Sequence, residues 1–521
     1  MKEILNSRKF RAVGFFVFIF LVFGGILLFR NLEQELTLPS DEWSRAIDLP
    51  VTVPGIYNGT FVQKEEDIYH VYTYDSQSIH HLALSPDLKV MGQSRIPVKV
   101  TKDTPYWIRD HRVLLLKNHR LILHQNDKKT VLAEGLDGME QSGSSVVVWK
   151  EKKLFTVDLD TFTLHFAGEM DNKIENIAVG SNPASFLVIT EGGSNQSIVH
   201  FIEKKDGNWP EPIRLFSAEG ESVSRFDYYL NHKRLVIYYS IYGSSHFGLS
   251  RTSYLARIDL GQSKIDPKIE KLTIVESNGE PINEPVNFRL SLQHNKPVLL
   301  FATVDYIPYK DTKAANIFRA EKRGNKWIAT NVSATRKPSG DPFWLNDHTV
   351  LWYDFESFKG QFLKGASQNP QVIARSLHID GHDWSFASGD SLFNLSESLI
   401  VIVYALFSLV PMGLFLLVMY MVNINLMERN PFWVRLTAVV LFIAAQLYFI
   451  KTFLGDSFLH QMPDYLSFSG NMYLIPVVLG AFSWMIMNFA RGKEWENIAQ
   501  IFYFIGIDVW MLMLLVGPYL I

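Results

Sequence analysis

Cysteine is absent from all 521 residues. That excludes disulfides, thiolate metal sites, cysteine nucleophiles and a lipid-bearing N-terminal cysteine. A basic surplus is also missing: the formal net charge is −3, so no nucleic-acid partner is expected. The chain carries no G-x-S-x-G elbow, Walker loop, H-E-x-x-H helix or G-x-G-x-x-G turn after a strand. An ATP-driven or hydrolytic mechanism of known signature thus has no support. Propellers can scatter catalytic carboxylates over several blades, so an enzyme is disfavoured rather than closed off. Long 3.6-period stretches are absent between Val51 and Ser376.

What is present is a set of apolar runs in an unusual arrangement. Residues 12–29 (AVGFFVFIFLVFGGILLF) hold no charge and suffice to cross ~30 Å of hydrocarbon as a helix. Four more runs, at 399–422, 436–454, 472–490 and 498–520, crowd the C-terminal end. A mostly polar segment of about 350 residues, taken as 35–390, separates the first run from the rest. The pattern predicts an integral membrane protein with a large water-facing domain between its spans. The first run could be a cleaved signal peptide, but it is long and ends in Phe29-Arg30-Asn31-Leu32 without a small-x-small site. It reads as an uncleaved anchor.

Charge near span ends predicts orientation. Residues 1–11 carry Lys2, Arg8, Lys9 and Arg11, and the next inner segments carry Arg429 and Arg435, then Arg491 and Lys493. The outer loop between the third and fourth spans holds Asp456 and Asp464, and the outer span ends hold only Arg30 and Lys451. The expected localisation is the cell membrane, multi-pass, with a cytoplasmic N-terminus and an extracytoplasmic domain and C-terminus. A cysteine-free exported domain of this size suits a bacterium with a single membrane better than a eukaryotic secretory protein. The sequons at Asn58, Asn195, Asn331 and Asn394 would matter only in the second case.

The segment 51–376 consists of short runs of β-branched and aromatic residues bounded by turn formers, such as DIYHVYTYD (67–75), SSVVVWKEKKLFTVDL (144–159) and RLVIYYS (234–240). Asn118-His119, 151–153 and 231–233 lie between paired runs, as hairpin tips would. About 26 to 28 strands recur with a period of roughly 40–50 residues, which matches four-stranded propeller blades. The expected fold is an all-β domain, a β-propeller of about seven blades, with one N-terminal and four C-terminal transmembrane helices. A pair of β-sandwiches is the competing architecture, but no Pro/Gly/Ser linker marks a midpoint.

Asp508 is the sharpest single-residue signal. It lies near the middle of the last span, where an ionised carboxylate is costly, so it must face the bundle, pair or keep its proton. Gln446 lies at comparable depth in the third span, and Lys451 is the nearest cation. The group either titrates or pins helices together, and the packing role is the more common one. His378, Asp380 and His382 would share one face of an extended strand and suit a divalent metal. Gly381 and the unfamiliar spacing favour a satisfied polar corner instead. No cofactor is otherwise expected. Asp158 and Asp160 read as turn punctuation. Trp107, Trp149, Trp209, Trp327, Trp344 and Trp352 read as core rather than as sugar-stacking platforms.

These features favour a receptor, scaffold or accessory subunit whose outer domain binds an unidentified extracytoplasmic ligand. Four spans beyond the anchor imply a membrane partner or a homo-oligomer within the bilayer. A transport-linked protein centred on Asp508 and an extracytoplasmic polysaccharide-active enzyme are the alternatives.

Overall fold

A computed structural model describes the chain apart from residues 1–7, 54–58, 76, 102–103, 127, 143, 181–183, 194, 220–221, 246–247, 263, 278, 283–284, 295, 307–312, 325, 357–358, 423–428, 430, 455–465, 469, 492–494 and 520–521. The side chains of 8–12, 222, 224–225, 243–250, 305–306 and 450–454 are likewise outside it. Lys2, Asn58, Asp456, Asp464, Lys493 and the side chain of Lys451 therefore lie outside the described residues. The chain divides into two units: Leu38–His378, and Met1–Thr37 together with Ile379–Ile521.

The first unit is a seven-bladed β-propeller built from 29 strands among the described residues. Blades 1 to 5 span 61–96, 106–134, 138–169, 174–219 and 222–271, each with four antiparallel strands in sequence order. Blade 6 (286–331) gains a fifth strand, Ile274–Glu276, added in parallel to its outer edge at Lys326–Asn331. The first strand of each of blades 2 to 6 packs against the first strand of the next blade, and these strands ring the central channel.

The strand runs read as continuously apolar because each sheet is covered on both faces. In Val146–Lys150, Val146 and Val148 face the seam with blade 2, while Val147 and Trp149 face the seam with blade 4. Side chains alternate across a strand, so a single VVVW run fills two cores. Seven apolar clusters occupy the seven seams between blades. Each fully buried Val, Leu or Phe in them contributes about 1.5–3 kcal/mol. Tight hairpins set the register. Asp110-His111 (φ 50° and 62°) and Asn118-His119 (φ 51° and 60°) take two-residue turns with both central residues left-handed. The tips expected at 151–153 and 231–233 are also turns, closing Lys150 on Lys153 and Asn231 on Arg234.

Ring closure joins the two ends of the unit. Ile47–Val53 pairs antiparallel with Gly360–Ser367 as the outer strand of blade 7 (339–367). It inserts Leu49, Val51 and Val53 into the seam between blades 7 and 1. The incoming and outgoing segments are clasped beside it. The Ser44 amide donates to the Ser367 carbonyl at 3.0 Å, and Arg45 donates to the Ser376 carbonyl at 2.9 Å.

In the second unit, α1 (Arg8–Glu35), α4 (Ile400–Val422), α5 (Phe432–Leu454), α6 (Asn471–Ala490) and α7 (Asn497–Leu515) are the apolar helices. Among the described residues, five helical segments are long and apolar enough to cross a membrane, one N-terminal and four C-terminal. Two further helices flank the junction: α2 (Pro370–Ser376) closes the propeller unit, and α3 (Gly381–Glu397) opens the helical one. The propeller unit ends at His378. The physical reason is a helix start at Asp380. Its carboxylate accepts the amides of His382 and Asp383 at 2.8 and 2.9 Å, and Asp383 accepts the Asp380 amide at 3.1 Å. Helix α3 buries Asp383, Ala387 and Ser391, and the Asn31 amide on α1 donates to Ser391 at 2.9 Å.

Candidate functional site

The seam where the ring closes opens into a cleft of about 980 Å³. Its walls are the ends of hairpins: residues 62–69 and 86–87 of blade 1, 344–349 of blade 7, and the outgoing chain at 367–370. Trp344 reaches its rim, but the half-buried indole packs on the apolar cluster of the seam between blades 6 and 7, where its enclosed N–H has no acceptor. Several lining groups are already spent on structure. The Asn369 amide donates to Asp87 at 2.6 Å, and Thr349 and Ser367 pair their hydroxyls at 3.0 Å. His348 meets the Gln368 carbonyl oxygen at 3.3 Å. Others are unspent. Asp347 has no partner among the described residues, and the Asn346 carbonyl oxygen accepts the His348 amide while its NH₂ stays free. The Lys64 ammonium lies 5.6 Å from the Tyr69 ring centroid and makes no ion pair among the described residues.

A second polar region lines the channel. The first strands of blades 4, 5, 6 and 7 each carry a bulge, at 174–176, 224–227, 286–289 and 340–343. Bulges re-aim side chains, and these fall on Glu175, Asp227, Asn287 and Asp341 or beside them. Asp227 bridges two blades: its carboxylate accepts the Leu290 amide at 2.7 Å and the Tyr228 amide at 2.9 Å. Burial raises its pKa, opposed by those two amides and the Arg289 charge. Glu140 on blade 3 is pushed up to about 7 by burial, with the Gln141 amide and Arg289 opposing. Both carboxylates thus feel the same guanidinium.

Between the apolar helices, Asp508 and Gln446 do meet. The Gln446 NH₂ on α5 donates to Asp508 on α7 at 2.8 Å, and both are buried. Ser483 on α6 adds a 3.4 Å bond to the other carboxylate oxygen. The sequence reading missed Ser483, although its position mid-span among apolar residues was a usable signal. Lys451 lies in the last turn of α5, one and a half turns beyond Gln446.

His378, Asp380 and His382 do not share a strand face. His378 ends the propeller unit, Asp380 caps α3, and His382 packs edge-on against Phe386 at 4.3 Å. Among the described residues no three His, Asp or Glu side chains gather to hold a metal. Asp158 forms a turn, accepting the amides of Asp160 and Thr161 at 2.9 and 2.8 Å, and Asp160 pairs with Arg109 at 2.6 Å. Trp107, Trp149, Trp327 and Trp352 are core, Trp209 stacks on Phe186, and Trp344 alone of the six lines the cleft.

No protein-family model matches the chain, and no curated protein matches it. Among solved structures, the β-propeller domain of the Trilobed protease from Pyrococcus furiosus is 10% identical. That match covers 58% of this chain and 80% of the other, with a TM-score of 0.30. A puromycin-hydrolyzing peptidase of Mycobacterium tuberculosis is 8% identical over 62% of this chain and 54% of its own, at 0.39. Kuenenia stuttgartiensis hydrazine synthase is 13% identical over 50% and 80%, at 0.32. These likenesses carry no functional argument.

Proposed function

We propose that the protein is a membrane receptor: its propeller binds an extracytoplasmic ligand, and its helices anchor it and dock a membrane partner or a second copy. The observation that carries this reading is the cleft at the closing seam, with solvent-facing polar groups that the fold itself does not use. A propeller also suits recognition because rigid blades present their loops and hairpin ends as one fixed surface. The basic residues around the apolar runs support a cytoplasmic N-terminus and an outward-facing propeller in a bacterial cell membrane.

The test is crosslinked affinity capture from native membranes with the full chain and with an Asp347→Arg variant that reverses one charge in the cleft. The expected result is a bound envelope component retained by the parent and lost by the variant, with any membrane partner recovered by both. Identical recovery of every bound component would remove the cleft from the receptor reading.

The transport-linked reading centred on Asp508 draws support from the buried trio of Asp508, Gln446 and Ser483. The trio is equally a helix pin, since each member satisfies another. A pH-dependent transport phenotype lost in Asp508→Asn, with assembly intact, would favour transport.

A further inference from the structure

Arg435 stands one turn into α5, and only 6% of it is exposed. A cation buried among apolar helices is costly unless it is paired. No carboxylate pairs with it among the described residues. The charge that bears on it, that of Arg491, has its own sign. Glu496, just before α7, is exposed and forms no ion pair among the described residues.

The surroundings satisfy only part of the guanidinium. Its carbon lies 5.4 Å from the Phe432 ring centroid and 5.3 Å from that of Trp484, so aromatic rings cover its flat surface. Nη1 donates to the Gln500 carbonyl oxygen on α7. The Nε–H is enclosed without an acceptor, and Nη2 lacks one too but is not enclosed. Those two nitrogens make up one edge of the group, with N–H bonds side by side. Such a fork takes two oxygens of a single oxyanion. The fold thus holds Arg435 by its flat surface and one edge, and leaves the other edge short of an anion.

Position narrows the choice of oxyanion. Phe432 and Trp433, both exposed, open α5 with the aromatic pair that marks a membrane–water boundary. An oxyanion at that level is supplied by lipid headgroups as phosphate. A headgroup with its own ammonium would bring a like charge toward Arg435 and Arg491. One without it brings an uncompensated negative charge, as basic pockets between spans prefer.

We propose that Arg435 binds the phosphodiester of an anionic phospholipid through its Nε–Nη2 edge, with Arg491 at the end of α6 adding a second positive charge. The proposal stands apart from the receptor reading, which rests on the propeller cleft.

The full chain in dodecyl maltoside is titrated with dioleoylphosphatidylglycerol, dioleoylphosphatidylcholine and inorganic phosphate, and bound molecules are counted by native mass spectrometry. The first phosphatidylglycerol is expected to bind about fivefold more tightly than phosphatidylcholine. Arg435→Gln should erase that preference, and Arg435→Lys, which keeps the charge and loses the fork, should cut it to about twofold. Arg491→Gln should weaken phosphatidylglycerol binding about threefold. Because Arg491 is exposed, that variant keeps the test decisive if both changes at Arg435 misfold, which melting of each variant will show. Arg30→Gln removes a cation at the other end of α7, where Arg30 lies 4.5 Å from the Tyr519 ring centroid, and should bind as the parent does. Equal binding of the two lipids by the parent overturns the proposal, as does a preference that survives the variants at Arg435 and Arg491. Equal losses in Arg30→Gln and Arg435→Gln overturn it as well, since charge alone would then explain the binding. Inorganic phosphate bound as tightly as phosphatidylglycerol makes the site one for a soluble anion and overturns the lipid assignment.

Discussion

Asp508 holds two polar neighbours that would otherwise be stranded in an apolar interior. Asn at this position keeps a carbonyl acceptor for the Gln446 NH₂, removes the capacity to ionise, and turns the Ser483 bond round, its NH₂ donating to the hydroxyl. Asp508→Asn is therefore expected to melt within about 1 °C of the parent in detergent, whereas Asp508→Leu strands Gln446 and Ser483 and costs about 1–2 kcal/mol. Thermal unfolding followed by tryptophan fluorescence checks both; equal melting of the two variants would show that the bonds contribute nothing. Glu140 offers a pH test in the propeller. Burial lifts its carboxyl from 4.5 to about 7, so between those values the folded state holds a proton that the unfolded chain has released. Stability must then fall as pH rises from about 4.5 to about 7. Glu140→Gln should flatten that slope in denaturant titrations at several pH values. An unchanged slope would place the group in water rather than in a desolvated wall.

The start of α3 is decided by one side chain. Asp380 satisfies the amides of His382 and Asp383, which have no partners within the helix. Asp380→Ala should lower stability by about 1 kcal/mol, the usual cost of a lost N-cap. Amide exchange should quicken in residues 381–384 if the cap is what holds this turn. The same element shows how local signals compete. The spacing of His378, Asp380 and His382 fits an extended strand as readily as a helix start, because a carboxylate two residues from a histidine is common to both. What separates them is the capping pattern Asp380-x-x-Asp383, an acidic version of the box that sequence reading seeks as Ser/Thr with Glu/Gln. The apolar spans were legible for a simpler reason: composition alone marks a helix that must satisfy its backbone without water.

At the scale of the molecule, the propeller depends on a contact between residues more than 300 apart. Val51 is buried in the closing seam among residues of blades 7 and 1. Val51→Asp places an uncompensated charge there and should cost about 3–5 kcal/mol. Because the strand Ile47–Val53 completes the last sheet, the loss should appear as one cooperative loss of the whole ring. Limited proteolysis of the full chain in nanodiscs would show it as cleavage in several blades together. Cleavage confined to residues 38–60 would mean that the ring survives without its closing strand.

The blade period, the strand composition and the five apolar runs were determined by the sequence itself, since each arises from interactions within about 50 residues. Runs such as Val146–Trp149 even announce two-sided burial, through the absence of polar alternation. Which strand closes the ring, which of six tryptophans are fully buried, and which polar groups remain unspent were decided only by tertiary structure. Trp344 and Trp352 look alike as sequence, yet the Trp352 indole donates to Asp354 at 2.8 Å while Trp344 finds no acceptor. Asp508 was visible as a cost to be met, and the fold chose Gln446 and Ser483 to meet it. Hydrogen-bond satisfaction depends on where distant segments come to rest, and no local pattern encodes that.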